Sequence, residues 1–199
     1  VHLKRFFDTS GDWLFLIDEA HNLPDRARAM YSARFCKSSL TDAKRTLGKG
    51  KSALKTALTK ADKAMREARQ ACVRLAPRRH AEDAPGEPAQ TSLLPEPDAP
   101  AFALPEPLYA QDGTVFCKEL PSALLAPLRA LTAPLQDWLE DNTDAAAHTA
   151  LLDLYFEVQD VLRAAERYDE HFSTQLTARG SELELHLLCL DPAPFVDAS

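Results

Sequence analysis

The chain has 199 residues, 45% of them hydrophobic, with 23 Lys and Arg against 30 Asp and Glu and a formal charge of −7. That is a soluble, globular composition within the range of one ordinary domain. The longest apolar run, Trp13 to Ile17, is far too short to cross a bilayer, and no basic segment followed by an apolar one opens the sequence, which argues against membrane-spanning and secreted classes and for a cytoplasmic protein. Position 1 is Val, and Phe195-Val196-Asp197-Ala198-Ser199 ends without turn or capping logic, so a piece of a longer protein is expected. Cys36, Cys72, Cys117 and Cys189 lie far apart, without the paired spacing of a zinc site or a compact iron-sulfur cluster, and the six histidines form no His-x-x-x-His pair. Free intracellular thiols are expected, and no metal site built from this segment alone.

Charge is distributed unevenly. Residues 1–36 are neutral, residues 37–80 hold thirteen basic and three acidic side chains for a net +10, and the remaining 119 residues are net −17. A polyanion can dock on the middle block but not on the last.

The first block runs Val1-His2-Leu3-Lys4-Arg5-Phe6-Phe7, turns at Ser10-Gly11-Asp12, and continues as Trp13-Leu14-Phe15-Leu16-Ile17 before ending in Asp18-Glu19. A short apolar run that stops at carboxylates predicts a buried parallel strand whose tip carries chemistry. Pro24 then starts a helix near Asp25, because the first turn does not need its missing N–H. Gly48 and Gly50 mark a break. From Leu54 the sequence Leu54, Leu58, Ala61, Met65, Ala68, Cys72, Leu75 steps by four and three, with Ala57, Ala64 and Ala71 on one flank. This predicts a long amphipathic helix with a small-residue seam and most of its Lys and Arg on the opposite face.

Residues 77–107 carry eight of the fourteen prolines and read as an extended connector. Order resumes near Thr114. Leu124, Leu128, Leu131, Leu135 and Trp138 form a second stripe, in a helix that Pro127 and Pro134 are expected to kink or divide. Leu151, Tyr155, Val158, Leu162 and Ala165 mark a third helix, ending around Arg167. A hairpin follows, from Phe172–Thr177 through Arg179-Gly180 into Glu182–Leu190, whose second strand enters a covered sheet.

Asp18-Glu19-Ala20-His21 is the most informative motif. In P-loop ATPases an Asp at such a strand tip holds Mg²⁺ beside the β- and γ-phosphates, and the adjacent Glu polarises the attacking water. A bare Asp-Glu pair would read as solvated acids before a helix N-terminus; with five apolar residues before it and Ala-His after it, the ATPase reading is the stronger. Gly50-Lys51-Ser52 is not a phosphate-binding loop, because position 45, where that pattern needs Gly, is Arg.

Leu16-Ile17-Asp18-Glu19-Ala20-His21-Asn22-Leu23-Pro24-Asp25-Arg26-Ala27-Arg28, with Met30-Tyr31-Ser32-Ala33, resembles the DEAH region of the XPD-like, DinG-related superfamily 2 DNA helicases, and the bacterial members most closely. Val1 to Phe7 looks like the stretch upstream of that strand, and Cys189-Leu190-Asp191-Pro192 like the opening of the second motor domain. Between them the chain matches the family's helical arch in position and helical character only. The resemblance implies a mainly α fold with a minor β part, a helical arch-type insertion between partial RecA-like (P-loop NTPase) motor domains. It divides the chain into a partial first motor domain (1–36), an arch with the proline-rich connector (37–170), and a hairpin with the start of the second motor domain (171–199).

It also implies Asp18 for Mg²⁺, Glu19 as catalytic base, both at the ATP site, and His21 as a residue coupling nucleotide state to the facing motor domain. The parent would be a monomeric ATP-dependent DNA helicase moving 5′ to 3′ on single-stranded DNA. Its phosphate-binding loop and the four cysteines of a 4Fe-4S cluster would fall outside residues 1–199, so this chain alone is expected to be inactive. The +10 block fits phosphate tracking, with Lys51, Lys55, Lys60, Lys63 and Arg66 as candidate DNA contacts. Residue types alone balance that reading evenly against an ordinary solvated helix face, and the arch placement favours DNA. Residues 37–80 contain no aromatic side chain, and Trp138, Tyr155 and Phe156 read as packing groups. A non-enzymatic helical interaction module and a DEAH-type RNA helicase are the rival readings.

Overall fold

The computed structural model describes residues 20–47, 52–76, 102–143 and 146–197. The strand expected at 13–17, Gly48 and Gly50, and connector residues 77–101 lie outside the described residues. A single 3-10 turn, Ala20–Asn22, leads into α1 (Leu23–Tyr31), with Pro24 in its first turn as expected. β1 (Ala33–Cys36) and α2 (Lys37–Thr46) follow, then α3 (Ala53–Leu75), β2 (Pro107–Gln111), β3 (Thr114–Cys117), α4 (Ser122–Asp141), α5 (His148–Glu166), β4 (Phe172–Arg179), β5 (Glu182–Cys189) and α6 (Ala193–Asp197). The described residues are mainly helical with a small β part, as expected.

The five strands form one antiparallel sheet in the order β1-β5-β4-β3-β2. It draws β1 from before residue 36, β2 and β3 from the middle, and the β4–β5 hairpin from after residue 171. Side chains alternate across it. One face carries Phe35, Leu185, Leu176 and Val115 in a single cross-strand row, all buried beneath the helices. The opposite face carries Arg34, His186, Gln175, Phe116 and Tyr109 in the next row. Burial pushes the His186 imidazole down from its usual pKa, a shift that Glu184 opposes and Arg34 reinforces.

Helix α3 is the centre of the helical layer. Ser52 caps it, its hydroxyl accepting from the Lys55 N–H at 3.2 Å. Leu54, Leu58, Ala61, Met65, Ala68 and Cys72 are buried as the stripe requires, against α4, α2 and the sheet. Leu75 departs from it: at the fraying last turn it is 43% exposed.

The connector yields to order earlier than expected. Phe102 and Leu104 pack against the core, and β2 begins at Pro107. Asp112 and Gly113, both at positive φ (50° and 79°), turn β2 into β3 as a two-residue hairpin loop. That turn docks on the end of α3, where the Gly113 N–H donates to the Ala76 carbonyl at 2.7 Å.

Helix α4 is not divided by its prolines: it runs as one helix through Pro127 and Pro134. An interior proline costs roughly 3 kcal/mol, whereas burying a leucine gains roughly 1.5–3 kcal/mol. Leu124, Leu125, Leu128, Leu131, Leu135 and Leu139 are all buried in that one helix, so packing outweighs the two missing hydrogen bonds. Phe156, expected near the core of α5, is instead 52% exposed, while Trp138 and Tyr155 are partly buried against the core.

All four cysteines are free. The Cys72 thiol, wedged between α3 and the sheet, donates to the Gly113 and Leu176 carbonyls at 3.4 and 3.5 Å, and burial pushes its pKa from 9.0 up to about 11. The folded state therefore keeps a proton that the unfolded chain releases above pH 9. Stability contributed by this thiol is complete below that pH and declines as pH rises towards 11. Urea midpoints measured from pH 8 to 11 should fall over that window, and less steeply in Cys72→Ala.

Candidate nucleic-acid interface

The basic block maps onto α2 and α3, and the helical repeat decides which charges share a face. At 3.6 residues per turn, Lys60, Lys63 and Arg74 fall on the side of α3 opposite its buried stripe, while Lys55 and Arg66 lie on the flank towards α2. Lys60, Lys63 and Arg66 are exposed and Lys55 is half-buried, so four of the five candidate contacts form one basic sector. Lys51 lies outside the described residues.

This sector is less bare than the charge count implies. Asp62, only 7% exposed, faces α2 and accepts from Lys44 Nζ at 3.0 Å; Arg66 approaches the same carboxylate oxygen at 3.5 Å. A buried carboxylate must be paired, and here two cations from two helices share it. Lys63 lies 3.7 Å from Glu67, Arg45 lies 2.6 Å from Asp42, and Arg69 donates to the Gly180 carbonyl at 2.8 Å. The exposed pairs are weak and give way readily to a phosphate, but the Asp62 pairs are better sheltered. The Asp62-to-Arg66 contact was legible from its i,i+4 spacing. Lys44 was not, since a break separates it from α3 in sequence.

Beside Lys60, a cleft of about 510 Å³ opens between the first turns of α3 and the middle of α4, walled by Ala53, Thr56, Ala57, Ala126, Pro127 and Pro134. Its walls are small and mostly apolar, so Lys60 supplies its one charged rim.

The nucleotide-handling candidates divide differently. Asp18 and Glu19 lie outside the described residues. His21 is exposed within the turn Ala20–Asn22, immediately before α1. Among the described residues, no group of three or more His, Cys, Asp or Glu side chains is placed to hold a metal ion. The four cysteines likewise form no cluster site; three are buried and each sits on a different element. Among the described residues no helix is long and apolar enough to cross a membrane. In comparison with known proteins, no family model matches the chain and no curated protein is similar to it.

Because Asp62 neutralises Lys44 and Arg66, Asp62→Asn should free both. We expect tighter binding of single-stranded DNA at low salt and a steeper salt dependence, by up to about two released counterions, measured by fluorescence anisotropy across a salt titration.

Proposed function

We propose that the chain belongs to an ATP-dependent DNA helicase, spanning its DEAH motif, a helical arch that contacts single-stranded DNA, and the approach to its second motor domain. The sequence Leu16-Ile17-Asp18-Glu19-Ala20-His21-Asn22 carries this reading. Two features of the fold support it: the motif's last residues turn directly into a proline-started helix, and a long helix with an outward basic sector follows.

In this reading bound ATP and Mg²⁺ supply the phosphoryl group and neutralise its charge. Asp18 would hold the metal side of the site, and the Glu19 carboxylate would orient the attacking water and take its proton. His21, at the junction between motif and α1, would relay the state of that site. Lys55, Lys60, Lys63 and Arg66 would neutralise successive phosphates of a single strand without reading its bases. The absence of aromatic side chains from this sector fits a sequence-independent backbone contact.

In the intact protein, Glu19→Gln should abolish ATP turnover while leaving nucleotide binding in place; retained hydrolysis would remove Glu19 as the base. Changing Lys55, Lys60, Lys63 and Arg66 together to Glu should weaken binding of single-stranded DNA and flatten its salt dependence. An unchanged affinity across the titration would remove the arch contact, and ATPase stimulation by RNA in place of DNA would reassign the substrate.

A further inference from the structure

Helix α4 carries two interior prolines, each unfavourable in a helix. Pro127 and Pro134 stand seven residues apart, close to two full turns, and so share one face. Both line the cleft of about 510 Å³ that opens against the first turns of α3. That volume falls within the ~300–1,000 Å³ of small-molecule sites. Ala57, Ala126 and Ala130 on its walls are too short to fill it, so it stays open as a slot faced by proline rings.

Three polar groups stand at this apolar slot. Pro134 has no N–H, so the Ala130 carbonyl, four residues earlier, has no helical donor and is left to accept from a ligand. The Thr56 hydroxyl donates to the Ser52 carbonyl at 3.2 Å, which leaves its lone pairs to accept as well. Lys60, one turn further along α3, is exposed at the rim. Its neighbours Lys63 and Arg66 lie 3.7 and 3.5 Å from Glu67 and Asp62, whereas Lys60 enters no ion pair among the described residues. The N-terminal turn of α3 adds partial positive charge to the same wall.

A ligand that matches this set places an anion beside a flat ring bearing N–H donors. One nucleotide of a single strand does so: its phosphate meets Lys60, its base lies against the proline rings by dispersion, and the pairing edge of every base offers at least one N–H to the two acceptors. An apolar peptide side chain would fit the walls but leave Lys60 and both acceptors unmatched. We propose that the α3–α4 cleft takes one unstacked base of a bound single strand, with the adjoining phosphate on Lys60. The inference rests on the DNA contact proposed above and deepens it. The strand is held at one point by a base as well as along its phosphates, and any base serves, so the contact remains tolerant of sequence.

The test measures binding of the full chain by fluorescence anisotropy to a single-stranded oligonucleotide and to a strand of equal length that is abasic throughout. Wild type should bind the normal strand about fivefold more tightly, near the lower limit for a stacked base. Ala126→Leu/Ala130→Leu fills the cleft from two exposed helix positions and should bind both strands alike, with the salt dependence of wild type, because the phosphate contacts remain. Pro134→Ala gives the helix its hydrogen bond back, so it does not weaken the fold, and it should lose part of the same preference. Equal affinity of wild type for the two strands overturns the proposal and leaves the cleft to an apolar partner, while the phosphate contacts stand. A full preference retained by both the filled variant and Pro134→Ala also overturns it, by placing the base elsewhere. Failure of wild type to bind either strand at low salt overturns the DNA contact itself, and the cleft's role with it.

Discussion

Burial of the α3 seam is the constraint from which the rest of the arrangement follows. Leu54, Leu58, Met65 and Cys72 fill the space between α4, α2 and the sheet, while Ala61 and Ala68 let those neighbours approach closely. Fixing that stripe inward fixes the basic sector outward, since both belong to one rigid cylinder. It also places the end of α3 against two hairpin turns, through Ala76 to Gly113 and Arg69 to Gly180. A helix buried on one side thus both organises the core and presents the candidate DNA contacts.

Electrostatics moderates that presentation. A formal +10 over residues 37–80 suggests an open cationic surface, yet Asp62 draws Lys44 and Arg66 into the α2–α3 joint, where they serve packing as well as charge. The exposed charges that remain, centred on Lys60 and Lys63, suit weak, displaceable contacts with a polyanion. Such contacts favour sliding along a polyanion over fixed docking.

The sheet contributes a different kind of connection. Its order places β1, which follows α1 after a single residue, beside β5, so the two ends of the described chain meet at one edge. That neighbourhood brings Arg28, Tyr31 and Ser32 within hydrogen-bond reach of Leu190, Phe195 and Cys189. Neither partner is held by burial alone, and each is directed by hydrogen bonds and ring contacts whose geometry is specific.

Periodicity determined the helices. The four-and-three spacing of α3 and the stripe of α5 emerged at nearly their observed limits, because amphipathic burial is a local property of sequence once a core exists. The β4–β5 hairpin was equally legible from its Gly180 turn. The β2–β3 hairpin carried a comparable signal in Asp112-Gly113, which the surrounding prolines masked. The chemistry expected at Asp18–His21 rests on sequence alone, since residues 13–19 lie outside the described residues. Tertiary structure alone decided that α4 would cross two prolines, that Asp62 of α3 would bind Lys44 of α2, and that Arg28 and Tyr31 would meet Leu190 and Phe195 more than 160 residues away. Each of these depends on contacts between segments remote in sequence, whose energies no local pattern records.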